Sequence, residues 1–170
     1  MLAAAWPGRA GRYDSVMGVS AAPTSVAAPE LLLRACDLPA LIADDDGRGR
    51  VVAIGQFVKD WAVSDAQRRS RMIADPPRFH RNRHRFGARR FDLARIAAVV
   101  DALCERDGVQ VVPPWVGASR AQRPVSLTKS RLDSSPWNDW VRSVAPPACR
   151  RHNVWFVPST LDDYRVHGFR

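Results

Sequence analysis

The densest group of reactive side chains is a basic run at residues 78–90. It contains six arginines, two histidines and no acidic residue. Unpaired guanidinium groups are too costly to bury, so this run needs either solvent or a polyanionic partner. Arginine binds phosphate and carboxylate through paired hydrogen bonds, and Phe79, His84 and Phe86 add rings on which bases could stack. The run therefore predicts contact with nucleic acid or with an acidic protein.

The charge distribution along the chain supports this interpretation. Residues 48–90 hold twelve basic and three acidic residues, a surplus of nine that equals the net charge of +9 of the whole chain. Only Lys59 and Lys129 are lysine, which is typical of a GC-rich genome and makes the choice of arginine weak support for phosphate recognition. The clustering itself is not explained by codon bias. A solvated surface loop stays open as the third interpretation.

The candidate contact residues fall into two sets. The first set is Arg78, Arg81, Arg83, Arg85, Arg89 and Arg90, and the second is Arg68, Arg69 and Arg71. The second set lies on a predicted helix over 65–73, which follows a predicted helix over 50–63 after one or two residues. This spacing fits either a fragment of a DNA-reading helix-turn-helix or a plain pair of antiparallel helices.

Metal binding is not predicted. His80 and His84 would share a helix face, but a usable site needs three or four ligands and the neighbouring arginines repel a cation. The acidic turn at residues 44–46 does not complete a Ca²⁺-loop pattern. We therefore expect no metal and no cofactor.

Catalytic motifs are likewise not found. Cys149 precedes Arg150, Arg151 and His152, whose charges could activate a thiol, but no motif surrounds it and a half-buried cysteine at a helix end is favoured. The adjacent Asp162 and Asp163 would point apart on a helix. We expect a non-enzymatic protein, with a site assembled from scattered residues as the alternative.

Composition indicates the compartment. Three widely spaced cysteines do not form a disulfide framework and fit a reducing cytosol. No apolar run approaches the roughly 20 residues that span a membrane. We therefore expect a cytoplasmic protein without membrane contact.

The predicted fold is mainly α, a small single helical domain with a short β element near the C-terminus. We expect a disordered N-terminal arm at 1–29, N-terminal helices at 30–75, a basic connector at 76–90, and a C-terminal helical module with short strands at 91–170. The helices of the second region are predicted at 30–42, 50–63 and 65–73, the last with Ser64 as its N-cap.

The C-terminal module gives the clearest patterns. A helix is predicted from Phe91, with Asp92 as its N-cap and Gly108 just past its end. Ser135 is expected to cap a helix over 135–145, on which Trp137 and Trp140 share a face that is assigned to the core rather than to a partner groove. Residues 117–130 read as a loop, and 153–157 as a short strand.

Two blocks in residues 91–166 resemble a known group of proteins. The first is FDLARIAAVVDALC with GV and PPWV downstream, and the second is APPACRRHNVWFV at residues 145–157. Together they resemble a C-terminal module of uncharacterised actinobacterial proteins, often encoded beside nucleotidyltransferase-type toxins of the abortive-infection class. The resemblance implies an antitoxin or accessory protein with a cognate toxin as its partner. Its basic region would contact DNA or the toxin, and a stand-alone nucleic-acid-binding protein is the alternative.

Overall fold

The structure is a computed structural model that describes residues 32–42, 48–79, 86–127 and 132–166. The predictions for the N-terminal arm at 1–29 and for the acidic turn at 44–46 fall outside these ranges. So do the predictions for the central part of the basic run, which concern His80, Arg81, Arg83, His84 and Arg85.

Helices dominate the described residues, of which 62% are helical. In chain order the elements are α1 (Leu38–Leu41), α2 (Arg48–Val63), α3 (Ala66–Ile73), α4 (Phe86–Asp107), α5 (Pro114–Gly117), β1 (Val125–Ser126), α6 (Pro136–Val144), α7 (Pro147–His152), β2 (Val154–Trp155) and α8 (Ser159–Val166). The two strands pair in parallel, with Val125 opposite Val154 and Ser126 opposite Trp155. The predicted fold class, mainly α with a short β element near the C-terminus, is confirmed.

Helix α4 forms the centre of the hydrophobic core. Residues 96–100 are all buried, and the helix packs against α5, α7 and β2. Phe57, Val58 and Trp61 of α2 belong to the same cluster of buried side chains. The predicted N-terminal and C-terminal regions therefore share one core, and the expected boundary at residue 90 falls inside α4.

Asp92 is not an N-cap, because α4 begins six residues earlier, at Phe86. Its carboxylate is 2% exposed, and one oxygen accepts from Arg50 Nε at 2.8 Å and from an Arg95 terminal nitrogen at 2.7 Å. Arg95 Nε also donates to the carbonyl of Ser126 at 2.8 Å. Arg50, Asp92 and Arg95, here termed the ion cluster, thus tie α2, α4 and β1 together.

The cap of α3 is shifted by one residue from the prediction. Asp65 accepts from the backbone N–H of Arg68 at 2.8 Å, as an N-cap does. The Ser64 hydroxyl donates back to the carbonyl of Asp60 at 2.6 Å, so it closes α2 instead. Because aspartate and serine are both good N-caps, the local sequence does not distinguish Ser64 from Asp65. The geometry of the turn decides which of them caps α3.

Two further short elements of the structure also differ from the prediction. The helix expected over 30–42 is reduced to a turn followed by α1, in which Pro39 occupies the first turn. Strand β1 was predicted as loop, because two residues are too few for a period and the strand exists only through its pairing with β2.

The predicted C-terminal glycine of α4 is confirmed: Gly108 follows the helix with φ of 68°.

Helix α6 begins as predicted, but its tryptophans do not enter the core. Ser135 accepts from the N–H of Asn138, and Pro136 opens the helix. Trp137 and Trp140 are 64% and 46% exposed, and their rings lie 4.7 Å apart at 36°. The helix buries Asn138 and Val141 instead, so the core assignment of the two indoles was wrong.

We expect Asp92→Asn to reduce the free energy of unfolding by about 3–5 kcal/mol, because it removes the anion from a buried ion pair. Urea denaturation followed by circular dichroism measures this loss. The matched control is Asp139→Asn, which breaks the solvent-exposed pair with Arg142 and should cost less than about 1 kcal/mol. A loss in Asp92→Asn no larger than in the control would show that the ion cluster does not hold the fold.

Candidate polyanion-binding surface

A buried ion pair links the first turn of α2 to the second turn of α4. The Arg50–Asp92 ion pair joins the N-terminal parts of the two helices, and neither helix has an acidic residue in its first turn. Helix starts carry a partial positive charge from their free N–H groups, and acidic residues usually balance it. Here arginines occupy these positions instead, at residues 48 and 50 and at 89 and 90. Arg50 is buried and paired with Asp92, so Arg90 is the exposed arginine among those of the four whose side chains are described.

Further arginines lie on α3 and in the segment that follows it. Arg71 is exposed on α3 and Arg68 is half-buried there. Arg78 is 72% exposed and forms an ion pair with Asp75 at 3.7 Å. Backbone hydrogen bonds from Ala35 to Met72 and from Arg78 to Cys36 hold both segments against the turn at 35–37. The exposed guanidinium groups therefore extend from an ordered backbone.

We use the name basic surface for the predicted arginines that are described and are exposed or half-buried. They lie in two places, around α3 near the last turns of α2 and α4, and at the start of α4. Its members are Arg68, Arg71, Arg78, Arg89 and Arg90. Arg90 is exposed, whereas Arg89 is half-buried at the start of α4. The predicted residues Arg81, Arg83 and Arg85 lie in the stretch of chain between Arg78 and α4, outside the described ranges.

Arg69 does not belong to this surface, which corrects the prediction for it. Its guanidinium lies 5.5 Å from the Trp61 ring centre, and its Nε donates to the Trp61 carbonyl at 3.1 Å. A terminal nitrogen lies 3.1 Å from Asp107. Arg69 therefore fastens α3 to α2 and to the end of α4.

Asp107 is the acid at this junction. Burial opposes its ionisation, but hydrogen bonds from Arg106 and Trp61 and the charge of Arg69 hold the pKa of its carboxyl below the ordinary value. The carboxylate thus stays charged where three helices meet. Because Arg69 is committed here, the short helix α3 offers only Arg68 and Arg71 to an outside partner, which favours a plain helix pair over a DNA-reading helix.

The aromatic residues expected to stack on bases are less available than predicted. Phe79 is half-buried and packs against the core. His84 lies outside the described residues, and nothing is described of the Phe86 side chain. The described part of the basic surface therefore offers guanidinium groups to a partner, with phosphate or carboxylate as the matching chemistry.

A buried His–Asp pair was missed at the sequence level. His152 Nε2 lies 2.8 Å from Asp101 and its Nδ1 lies 2.5 Å from the Ser119 carbonyl oxygen. Both neighbours are acceptors, so each contact is a hydrogen bond when the facing ring nitrogen carries a hydrogen. Burial opposes ionisation of Asp101, yet hydrogen bonds from His152 and Arg151 lower its pKa. His152 is fully enclosed, and the pair joins α7 to α4 rather than meeting a substrate.

The cysteines have the environment of core residues. Cys36, Cys104 and Cys149 are free and buried. Burial raises the pKa of the Cys104 and Cys149 thiols to about 12. Arg150 and Arg151 therefore do not activate Cys149, whose thiol faces the carbonyl of Phe156 at 3.9 Å.

No protein-family model, curated protein or solved structure matches this chain. Among the described residues, no three His, Cys, Asp or Glu side chains are grouped to hold a metal ion. No helix in the same ranges has the length and apolar character to cross a bilayer. The interpretation of the basic surface therefore rests on its own charge and geometry.

We expect the thiols of the native protein to react with a disulfide reagent at pH 8 at least about a hundredfold more slowly than in denaturant, because a raised pKa and burial both suppress the thiolate. Absorbance of the released thiolate, with mass spectrometry to assign each cysteine, measures the rates. A native Cys149 that reacts within about tenfold of its denatured rate would indicate an activated nucleophile and contradict the structural role.

Proposed function

We propose that this chain is a non-enzymatic binding protein whose basic surface contacts a polyanion, with nucleic acid as the first candidate. The observation that supports the proposal is the exposure of Arg71 and Arg78 on and after α3 and of Arg90 at the start of α4, whose first turn has no acidic residue. Free N–H groups at helix starts and arginine side chains both bind phosphate. The run at residues 78–90 connects the start of α4 to α3 and adds three further arginines.

The chemistry favours contact with the backbone of nucleic acid over reading of bases. Phosphate contacts by arginine supply affinity and orientation, whereas sequence is read by side chains that enter a groove. Helix α3 turns Arg69, Met72 and Ile73 toward the protein interior. The basic surface is thus suited to sequence-independent binding, and it would give a strong dependence on salt.

An antitoxin-like role is the narrower form of this proposal. It derives from the resemblance of residues 91–166 to the module encoded beside toxin genes. In that role the same arginines would contact operator DNA or acidic groups of a cognate toxin. Co-expression with the product of the adjacent gene tests it: a stable complex supports the role, and an adjacent gene without a toxin and without complex formation argues against it.

The main test is the affinity for a fluorescently labelled DNA duplex, measured by anisotropy between about 50 and 200 mM salt. Each neutralised phosphate contributes about −0.9 to the slope of log affinity against log salt, so we expect a slope of about −3 or steeper. The triple variant Arg71→Ala, Arg78→Ala and Arg90→Ala should bind more weakly and give a shallower slope, because it removes exposed cations of the basic surface.

The matched control removes the same charge from elsewhere. Arg120, Arg142 and Arg150 lie outside the basic surface, so their triple replacement by alanine should leave most of the affinity and the slope unchanged. Equal losses in both triple variants would mean that net charge alone attracts DNA. No binding at low salt, or an affinity that does not depend on salt, would contradict nucleic-acid binding.

A further inference from the structure

The two exposed indoles of α6 border an apolar cavity. The cavity has a volume of about 250 Å³ and lies between α2, α6, β2 and the chain after each strand. We term it the indole groove and define it by the residues Val51, Ile54, Leu132, Trp137, Val141 and Val157. Trp140 lies next to Trp137, and the exposed Val144 follows one turn later, so the apolar surface continues along α6.

The walls of the indole groove select an apolar side chain over a nucleobase. A base carries polar edges that need partners when buried. The Asn138 amide at the groove already donates to Asp133, and the Ser126 carbonyl already accepts from Arg95. The walls also contain the Thr160 hydroxyl and the indole of Trp155, whose N–H is buried without a hydrogen-bond partner among the described residues. The remaining walls are aliphatic and aromatic, and the volume accommodates one large apolar side chain.

The size of the surface favours a short segment over a second copy of the chain. The exposed parts of Val51, Trp137, Trp140 and Val144 add up to roughly 400 Å², within the range of functional patches on monomers. A stable dimer needs about 800 Å² on each partner. The apolar stretch of α6 from Trp137 to Val144 is about 10 Å long, which matches two turns of a partner helix.

The charge of the chain selects an acidic segment. The protein carries a net charge of +9, and α2, one wall of the groove, begins at Arg48 and carries Lys59 one turn beyond Gly55, which lines the groove. The acids nearest the groove also have polar partners. Asp133 accepts from the Asn138 amide, and Asp139 and Asp162 each form an ion pair with an arginine. An acidic partner gains attraction during its approach, whereas a basic one is repelled.

We propose that the indole groove binds an acidic amphipathic helix of another protein. One large apolar side chain of that helix fills the cavity, and its neighbours one and two turns away cover Trp140 and Val144. Helix-in-groove recognition of this kind uses apolar anchors at positions i, i+3 or i+4, and i+7. This interaction is independent of the basic surface and survives if nucleic-acid binding fails.

The experiment selects binding peptides from random sequences, and the charge and apolar spacing of these peptides show which kind of partner the groove prefers. A displayed library of random peptides of ~16 residues, about four helical turns, is enriched on the full chain and counter-selected on Trp137→Ala. The enriched sequences should carry net negative charge and apolar residues at helical spacing. A synthetic peptide from the pool should lose about tenfold or more in affinity for Trp137→Ala and none for Val111→Ala, an exposed valine outside the groove.

A second pair of variants separates charge from shape. Val51→Glu and Val51→Lys both disrupt the α2 wall, but only the glutamate repels an acidic peptide, so the loss should be larger for Val51→Glu. A cooperative thermal unfolding transition confirms that each variant is folded. If Trp137→Ala does not fold, the comparison of Val51→Glu with Val51→Lys tests the proposal without it.

Four outcomes would overturn the proposal. The first is no enrichment above the Trp137→Ala background, and the second is enrichment of basic sequences or of sequences without helical spacing. The third is a dimer in light scattering that Trp137→Ala dissolves, which would place a second copy in the groove. The fourth is quenching of tryptophan fluorescence by single-stranded oligonucleotides that depends on Trp137, which would make the indoles a platform for bases.

Discussion

The ion cluster of Arg50, Asp92 and Arg95 is the constraint on which the rest of the structure depends. Burial, and to a lesser extent the charge of Arg50, lowers the pKa of Arg95. This site therefore opposes a second cation. The Asp92 carboxylate is shared by both guanidinium groups and makes the arrangement tolerable. Removal of one member of such a cluster is far more costly than its replacement as a whole by apolar residues.

Both proposed surfaces derive their geometry from this cluster. On one side, the Arg50–Asp92 pair fixes the first turn of α2 against the second turn of α4, the turn that follows Arg89 and Arg90. On the other side, Arg95 holds the Ser126 carbonyl, and Ser126 and Val51 line the cavity beside α6. One buried charge group thus fixes the backbone beside Arg90 and beside the indole groove.

The arginines of this chain show why composition does not assign roles. Arg69 and Arg71 are two residues apart on α3, and both belong to the basic surplus. Arg71 is exposed to solvent, whereas Arg69 covers Trp61 and pairs with Asp107. The difference is the face of the helix on which each residue lies, and that face is set by packing of α3 on α2 and α4.

The sequence predicts the local features of the fold well. Helical spacing located α2, α3 and α6, and the Ser135 cap and the Gly108 terminator were placed correctly. The errors concern long-range contacts. Asp92 was read as a cap because its partner Arg50 lies 42 residues away. Trp137 and Trp140 were assigned to the core because spacing shows that two residues share a face, but not which face is buried.

The two proposed surfaces also differ in how far the sequence predicts them: the local feature was predicted and the long-range one was not. Clustered charge was visible in the sequence, because solvation of arginine is a property of the residue itself. The indole groove was not predicted, since its walls come from α2, from the chain around β1 and β2, and from α6. Only the folded chain brings them together.

The parallel pairing of β1 and β2 has a consequence for the order in which the molecule forms. Val125 and Val154 are joined through α6 and α7, and parallel strands cannot be connected by a tight turn. The pairing must wait until the intervening chain has folded back, because loop closure is costly before distant contacts form. Helix α6 is closed by hydrogen bonds within its own turns, whereas the cavity it borders also needs residues from both strands. The cavity is therefore complete only in a chain in which β1 and β2 have paired.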